Sequence, residues 1–239
     1  MFLGLLSYLS VRIGLGVKGF VDGLWILVCA VGGLLLADLI SGLVHWGGDT
    51  LLTVNAPILG RHFIQPFRHH HVDPKAITRH DFIETNGNNC LISVPVLGIV
   101  TPTMPEETGF GFYFCTVLVF MVWFVFGTNQ FHKWAHADDP PRIARLLQRW
   151  GVILVPTHHD IHHAAPHDKH YCITVGWMNP LLGQMRFFRG LEWIIARTWP
   201  AILHIEERGR RIDPANGDGA GGGVGAVGGL AAGPALGRR

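Results

Sequence analysis

The chain has 239 residues, 49% hydrophobic and only 15% charged, with a mean hydropathy of +0.29. A soluble domain carries roughly 25% charge, so this composition argues against a water-soluble globule and excludes disorder over most of the length. A net charge of +2 is too small to argue for nucleic acid.

Residues 1–23 place Arg12 and Lys18 late and show no clear cleavage site, so they read poorly as a signal peptide. An interfacial or short membrane-entering helix fits better. Residues 24–44 carry one charge, Asp38. At about 1.5 Å per residue that run crosses a hydrocarbon core of about 30 Å. A weaker apolar arm follows at 90–103, interrupted by Pro95 and closed by Thr101–Pro102, and it reads as a partial span. Residues 110–127 have no charge and eight aromatic side chains, which predicts a further span. Arg61, Arg68, Lys75 and Arg79 follow the first span; Lys133, Arg142, Arg145 and Arg149 follow the last. The excess of cations puts both stretches in the cytoplasm. That requires an even number of crossings between them, which favours the 90–103 arm as the broken or partly inserted arm of a hairpin. Residues 142–150 and 187–199 are amphipathic and basic, suited to the headgroup plane or to packing on the domain. From 213 to 239 the chain is nearly all Gly and Ala and reads as a disordered tail. The expected organisation is an N-terminal helix (1–23), one domain (24–212) and that tail.

The four cysteines form no CxxC pair, which leaves zinc–thiolate and iron–sulfur sites unsupported. Histidine is the anomaly. Fourteen of the 15 lie between His45 and His170. Asp38 and His45 share a helical face, and Asp49 extends that stripe if the helix survives Gly47–Gly48. Three adjacent histidines, His69, His70 and His71, cannot all point one way, so one or two serve a site. His132 and His136 form HxxxH, with both imidazoles on one helical face. Lys133 stands where a zinc peptidase needs a glutamate base, which disfavours hydrolytic zinc chemistry. The run 158–163, HHDIHH, contains His158/His162 and His159/His163 at i, i+4, and His159, His162 and His163 as HxxHH. Pro156 and Thr157 suit a helix start and Pro166 a stop.

One histidine from the first span, two from 69–71, two from HxxxH and three from HxxHH make eight imidazoles, too many for one ion and natural for two. Imidazole suits iron, zinc, copper and nickel. Asp38, Asp49, Asp81 and Asp160 are candidates to orient ligand rings. A C–H bond in a saturated chain has no acidic proton, so acid–base residues cannot break it; a metal–oxygen oxidant can. The predicted fold is therefore an all-α integral membrane protein, multi-pass, whose transmembrane helices carry a cytoplasmic histidine-rich di-metal site, as in membrane fatty-acid desaturases.

Five stretches carry a closer resemblance: DLISGLVHW (38–46), PFRHHHVDP (66–74), ITRHDFIETNG (77–87), TNQFHKWAH (128–136) and HHDIHH (158–163). Over residues 34–189 the chain resembles the plasmanylethanolamine desaturase family, the lipid desaturases that form plasmalogens. The 77–89 stretch is the most specific part. The resemblance implies two iron ions, dioxygen as co-substrate and an external electron donor, a cytochrome b-type or ferredoxin-like protein with its reductase. The substrate would be a 1-O-alkyl membrane phospholipid, gaining a vinyl ether double bond. The family's essential histidines fall on His45, His70, His71, His132, His136, His158 or His159, His162 and His163, with His80 and His167 also matching. His69 and His170 sit where other residues are expected in relatives, so they are left out of the site. An inner-membrane location with the site on the cytoplasmic side is expected for a bacterial chain. An acyl-chain desaturase or hydroxylase is the second reading, since a plant relative has similar boxes. A non-catalytic membrane metal-binding protein is a third, disfavoured because the histidines follow span ends.

Overall fold

A computed structural model describes residues 1–205; the Gly/Ala-rich stretch 213–239 lies outside the described residues. Two long apolar helices form the frame, α2 (Phe20–Thr50) and α5 (Phe110–His136), both long and apolar enough to cross a membrane. They are preceded, joined and followed by α1 (Phe2–Gly16), α3 (Gln65–Val72), α4 (Phe82–Thr103), α6 (Arg142–Arg149), α7 (Pro156–His163), α8 (Met178–Gln184) and α9 (Phe187–Thr198). Among the described residues there is no strand, only an isolated antiparallel bridge between Leu51 and Leu203.

Cross-contacts fix the helix directions. Tyr113 donates to Asp22, Gly33 abuts Met121, and His45 faces His132. Both partners advance together, so α2 and α5 run parallel. A Cβ on Gly33 would lie 2.7 Å from the Met121 nitrogen and 2.8 Å from the Val117 oxygen. Only glycine permits that approach, as small residues do at other apolar helix interfaces. In α4 the order reverses: Thr85 meets Asn129 and Asn89 meets Val125. The α1 helix also opposes α5, with Phe2 against Phe126 and Ser10 against Trp123. The four helices thus alternate in direction around one core that includes Leu6, Leu9, Leu97, Val100, Phe112 and Val122.

The partial arm expected at 90–103 is instead the second half of an unbroken 22-residue helix. Its first turns are polar, so hydropathy hid its start. Asp81 caps it by accepting from the Glu84 amide at 2.8 Å. Asn86 and Asn89 then bond across to Gln130 and to the Val125 carbonyl. Hydroxyls in the apolar stretches bond back to their own helices, as Thr101 to Leu97 and Thr116 to Phe112. Arg12, the awkward charge of the first segment, donates to the Met104 carbonyl at the end of α4. The first span is also longer than expected: α2 runs through Gly47 and Gly48 to Thr50. Residues 142–150 and 187–199 supply α6 and α9, and both keep large exposed apolar groups, including Ile143, Trp150, Trp193 and Ile194.

Candidate metal centre

The histidines gather where α2 and α5 end side by side. The α2 stripe delivers His45 and, one turn on, Asp49, because the helix survives the two glycines. A Cβ on Gly48 would fall 2.7 Å from the Phe67 ring, so the missing side chain lets α3 sit against α2. The α3 helix, started by Pro66, brings His70 and His71 on adjacent faces. The last turns of α5 supply His132 and His136. The short α7, started by Pro156, supplies His159, His162 and His163.

These side chains form two groups. The first is His70, His132, His136, His159 and His163; the second is His45, Asp49, His71 and His162. Within each, the ligand atoms lie within 4.8 Å of one another. In the first group the Nε2 atoms face each other: His132 and His159 at 2.8 Å, His136 and His132 at 3.2 Å, His163 at 3.1 Å from both His70 and His159. In a neutral imidazole each Nε2 either donates or accepts one bond, so five such atoms cannot all pair one to one. In the second group His71 Nε2 lies 2.9 Å from Asp49 Oδ1, while Asp49 Oδ2 is 3.4 Å from His162 Nε2 and 3.7 Å from His45 Nε2. Both His45 nitrogens, His162 Nε2 and Asp49 Oδ2 are buried without a hydrogen-bond partner. Burial on this scale is costly for polar atoms unless something binds them. The groups adjoin, with ring centroids of His71 and His163 5.2 Å apart and of His45 and His132 6.0 Å apart.

Burial holds His70, His159 and His163 well below the ordinary imidazole range, with neighbouring histidines pushing the same way. They are neutral, the form that ligates metal. His162 Nδ1 donates to the Lys169 carbonyl at 2.8 Å, which leaves its Nε2 lone pair aimed into the second group. Orphaned nitrogens, neutral rings and a donor set of imidazole plus one carboxylate fit two transition-metal ions, one per group.

Eight of the nine histidines singled out as ligands meet here. His158 does not: its ring packs on His170 at 4.5 Å, because it lies about 100° around α7 from His159. His167 lies beside the second group, 4.4 Å from the His71 ring, its Nδ1 on the His162 carbonyl. His80 is half-exposed near Glu84. Asp49, read from sequence as a ring-orienting candidate, stands among the ligand atoms themselves.

Asp38 has a different task. Its Oδ1 accepts from the amides of Thr174, Val175 and Gly176, and its Oδ2 from Met178. Ser41 accepts from the Ile173 amide. Together they pin residues 171–178, whose buried Tyr171 packs its ring 5.1 Å from His162. Sequence reasoning missed Tyr171 and this segment, which carry no local motif.

A cavity of about 830 Å³ opens against His70 and His132. One part of its wall is apolar, with Leu91, Ile92 and Val125; another is polar, with Arg61, His69, His80 and Glu84. Val125 lies about 10 Å along α5 from His132 by helical rise.

Two adjacent histidine groups at the end of a helical bundle, the first of them lining a cavity of mixed polarity, are donor sets that could hold two metal ions. The chain belongs to the lipid desaturase domain family, which matches residues 34–201. It is 54% identical over 183 residues to plasmanylethanolamine desaturase of Myxococcus xanthus, covering 76% of this chain and 64% of that protein. It is 49% identical over 176 residues to plasmanylethanolamine desaturase 1 of Mus musculus, covering 71% and 65%. Fatty acid desaturase 4, chloroplastic, of Arabidopsis thaliana is 32% identical over 165 residues, covering 68% and 49%. The chain therefore spans slightly less than two thirds of the length of the first two relatives. No solved structure matched it.

Proposed function

We propose that the chain is a plasmanylethanolamine desaturase, a membrane oxidoreductase that forms the vinyl ether bond of plasmalogens. The observation that carries this reading is the cavity, which joins an apolar wall to a polar one and reaches His70 and His132 of the first histidine group. A substrate that fits is amphiphilic and reacts near its headgroup. The carbons beside an ether oxygen meet that description; mid-chain carbons do not. The two relatives of highest identity described above carry the same name.

The overall reaction is R–O–CH₂–CH₂–R′ + O₂ + 2 e⁻ + 2 H⁺ → R–O–CH=CH–R′ + 2 H₂O. His70, His132, His136, His159 and His163 would hold one iron, and His45, Asp49, His71 and His162 the other. Bound iron with dioxygen supplies an oxidant strong enough for an unactivated C–H bond. The protein's own part is positional. Neutral imidazoles present lone pairs, the Lys169 carbonyl sets the His162 ring, and Asp38 holds the segment that backs it. Leu91, Ile92 and Val125 give the alkyl chain a water-free wall. The two electrons come from a separate donor protein.

In this reading α2, α4 and α5 cross the bilayer. The exposed side chains of Leu24, Leu27, Val28, Ile99 and Phe110 face lipid. Arg61, Lys75, Arg79, Lys133 and Arg142 then lie on the cytoplasmic side with the site. Arg68, on the same side, is buried and donates to the Leu52 carbonyl at 2.6 Å.

The test is expression in cells that make 1-O-alkyl-phosphatidylethanolamine but no plasmalogen. Acid-labile vinyl ether lipid, formed only with oxygen, is expected. A new double bond in an ester-linked acyl chain would assign the acyl reading, and iron-loaded protein that alters no lipid would end the enzyme reading.

A further inference from the structure

The polar wall of the cavity carries two opposite charges, Arg61 and Glu84. Lys75 is held by both Asp138 oxygens, Arg79 by Asp73, and Lys133 by the His80 carbonyl. Arg61 is different. It lines the cavity, and among the described residues it has neither an ion pair nor a hydrogen bond. Glu84 is the acid of the same lining; its closest basic atom is His80 Nε2, 3.8 Å away. Its place is fixed by the Asp81 cap at the start of α4, on the helical turn whose Thr85 carbonyl binds Asn129. Asn129 is one turn from His132, so Glu84 stands level with the metal centre. His69, in the same wall, adjoins His70 in sequence.

That level matters chemically. In an ether phospholipid only the ether oxygen and the glycerol backbone separate the reacting carbon from the phosphodiester. A lipid with its alkyl carbons at His70 and His132 must place its phosphate and the group beyond it within this polar wall. The Arg61 guanidinium and the Glu84 carboxylate, whose neighbour is the His80 imidazole, complement a phosphate and an ammonium.

We propose that Arg61 holds the phosphodiester of the substrate and Glu84 its ammonium, so that the pair selects a zwitterionic amino headgroup. The proposal rests on the desaturase reading for the orientation of the lipid, but its test does not need turnover. Purified full-length protein in detergent is titrated with 1-O-alkyl-phosphatidylethanolamine and with 1-O-alkyl-phosphatidylglycerol, and binding is read by native mass spectrometry. Wild type should prefer the ethanolamine lipid. Arg61→Gln should weaken both lipids about tenfold, the loss of one charge-assisted contact, and Arg61→Lys should recover part of it. Glu84→Gln should weaken only the ethanolamine lipid and close the gap. Unchanged binding in Arg61→Gln, equal loss of both lipids in Glu84→Gln, or no wild-type preference would overturn the assignment. The expected binding pattern without any vinyl ether product would remove the desaturase reading and leave the headgroup assignment standing.

Discussion

Replacing Asp38 separates a structural carboxylate from a metal-directed one. Four amides, three of them fully buried, converge on it at 2.9–3.2 Å. Asp38→Ala strands all four. An unsatisfied buried donor costs about 1–3 kcal/mol, so the loss should be about 5 kcal/mol with partial relaxation. Asp38→Asn keeps an acceptor for the three amides at Oδ1 but without charge, and turns an amide N–H₂ toward the Met178 amide. Losing charge assistance costs about 1 kcal/mol per bond, which gives about 3 kcal/mol. For a chain of this size 1 kcal/mol moves the melting temperature by roughly 2–4 °C. Thermal unfolding in one detergent should therefore fall by about 10–20 °C in Asp38→Ala and about 6–12 °C in Asp38→Asn. Iron content of the folded protein should stay at the wild-type level at low temperature. A melting point unchanged within about 2 °C, or iron lost at an unchanged melting point, would refute the clamp and point back to the metal site.

Three further outcomes follow from the same geometry. His159→Ala should abolish product and lower bound iron, whereas His158→Ala should keep its iron and at least about a tenth of the activity; elemental analysis with lipid profiling reads both, on the scale of groups that only support ligands. Gly33→Leu should cost more than about 3 kcal/mol and yield little folded protein, because its Cβ already meets the α5 backbone; fluorescence size-exclusion of the detergent extract measures this. Removing metal with a chelator should abolish activity and lower the melting temperature, since ligand binding to the folded state stabilises it, and ferrous iron rather than zinc should restore the activity.

The long apolar runs made α2 and α5 legible, and the HxxHH spacing made α7 a ligand helix. Helical phase decided what spacing left open: His158 and His159 are equal in composition, yet the angle between neighbours sends one to the hub and the other to His170. The start of α4 was illegible because Asn86 and Asn89 look like loop residues until their partners on α5 are known. Asp38 looked like a support for a ligand ring because the amides that it binds lie more than 130 positions away, beyond the reach of any local pattern. Asp49 depended on whether two glycines would end a helix. Tertiary packing against Phe67 answered that, not propensity.

The short helix α7 serves both groups at once, His159 and His163 on one side and His162 on the other. One turn of backbone therefore acts as a gauge block between the two centres. Their spacing follows from the angle between successive faces of a helix, about 100° per residue, and not from the reach of flexible side chains. Neither centre can drift toward or away from the other without unwinding that turn. A register slip of one residue would misplace all three imidazoles together, so the pair is built or lost as one object.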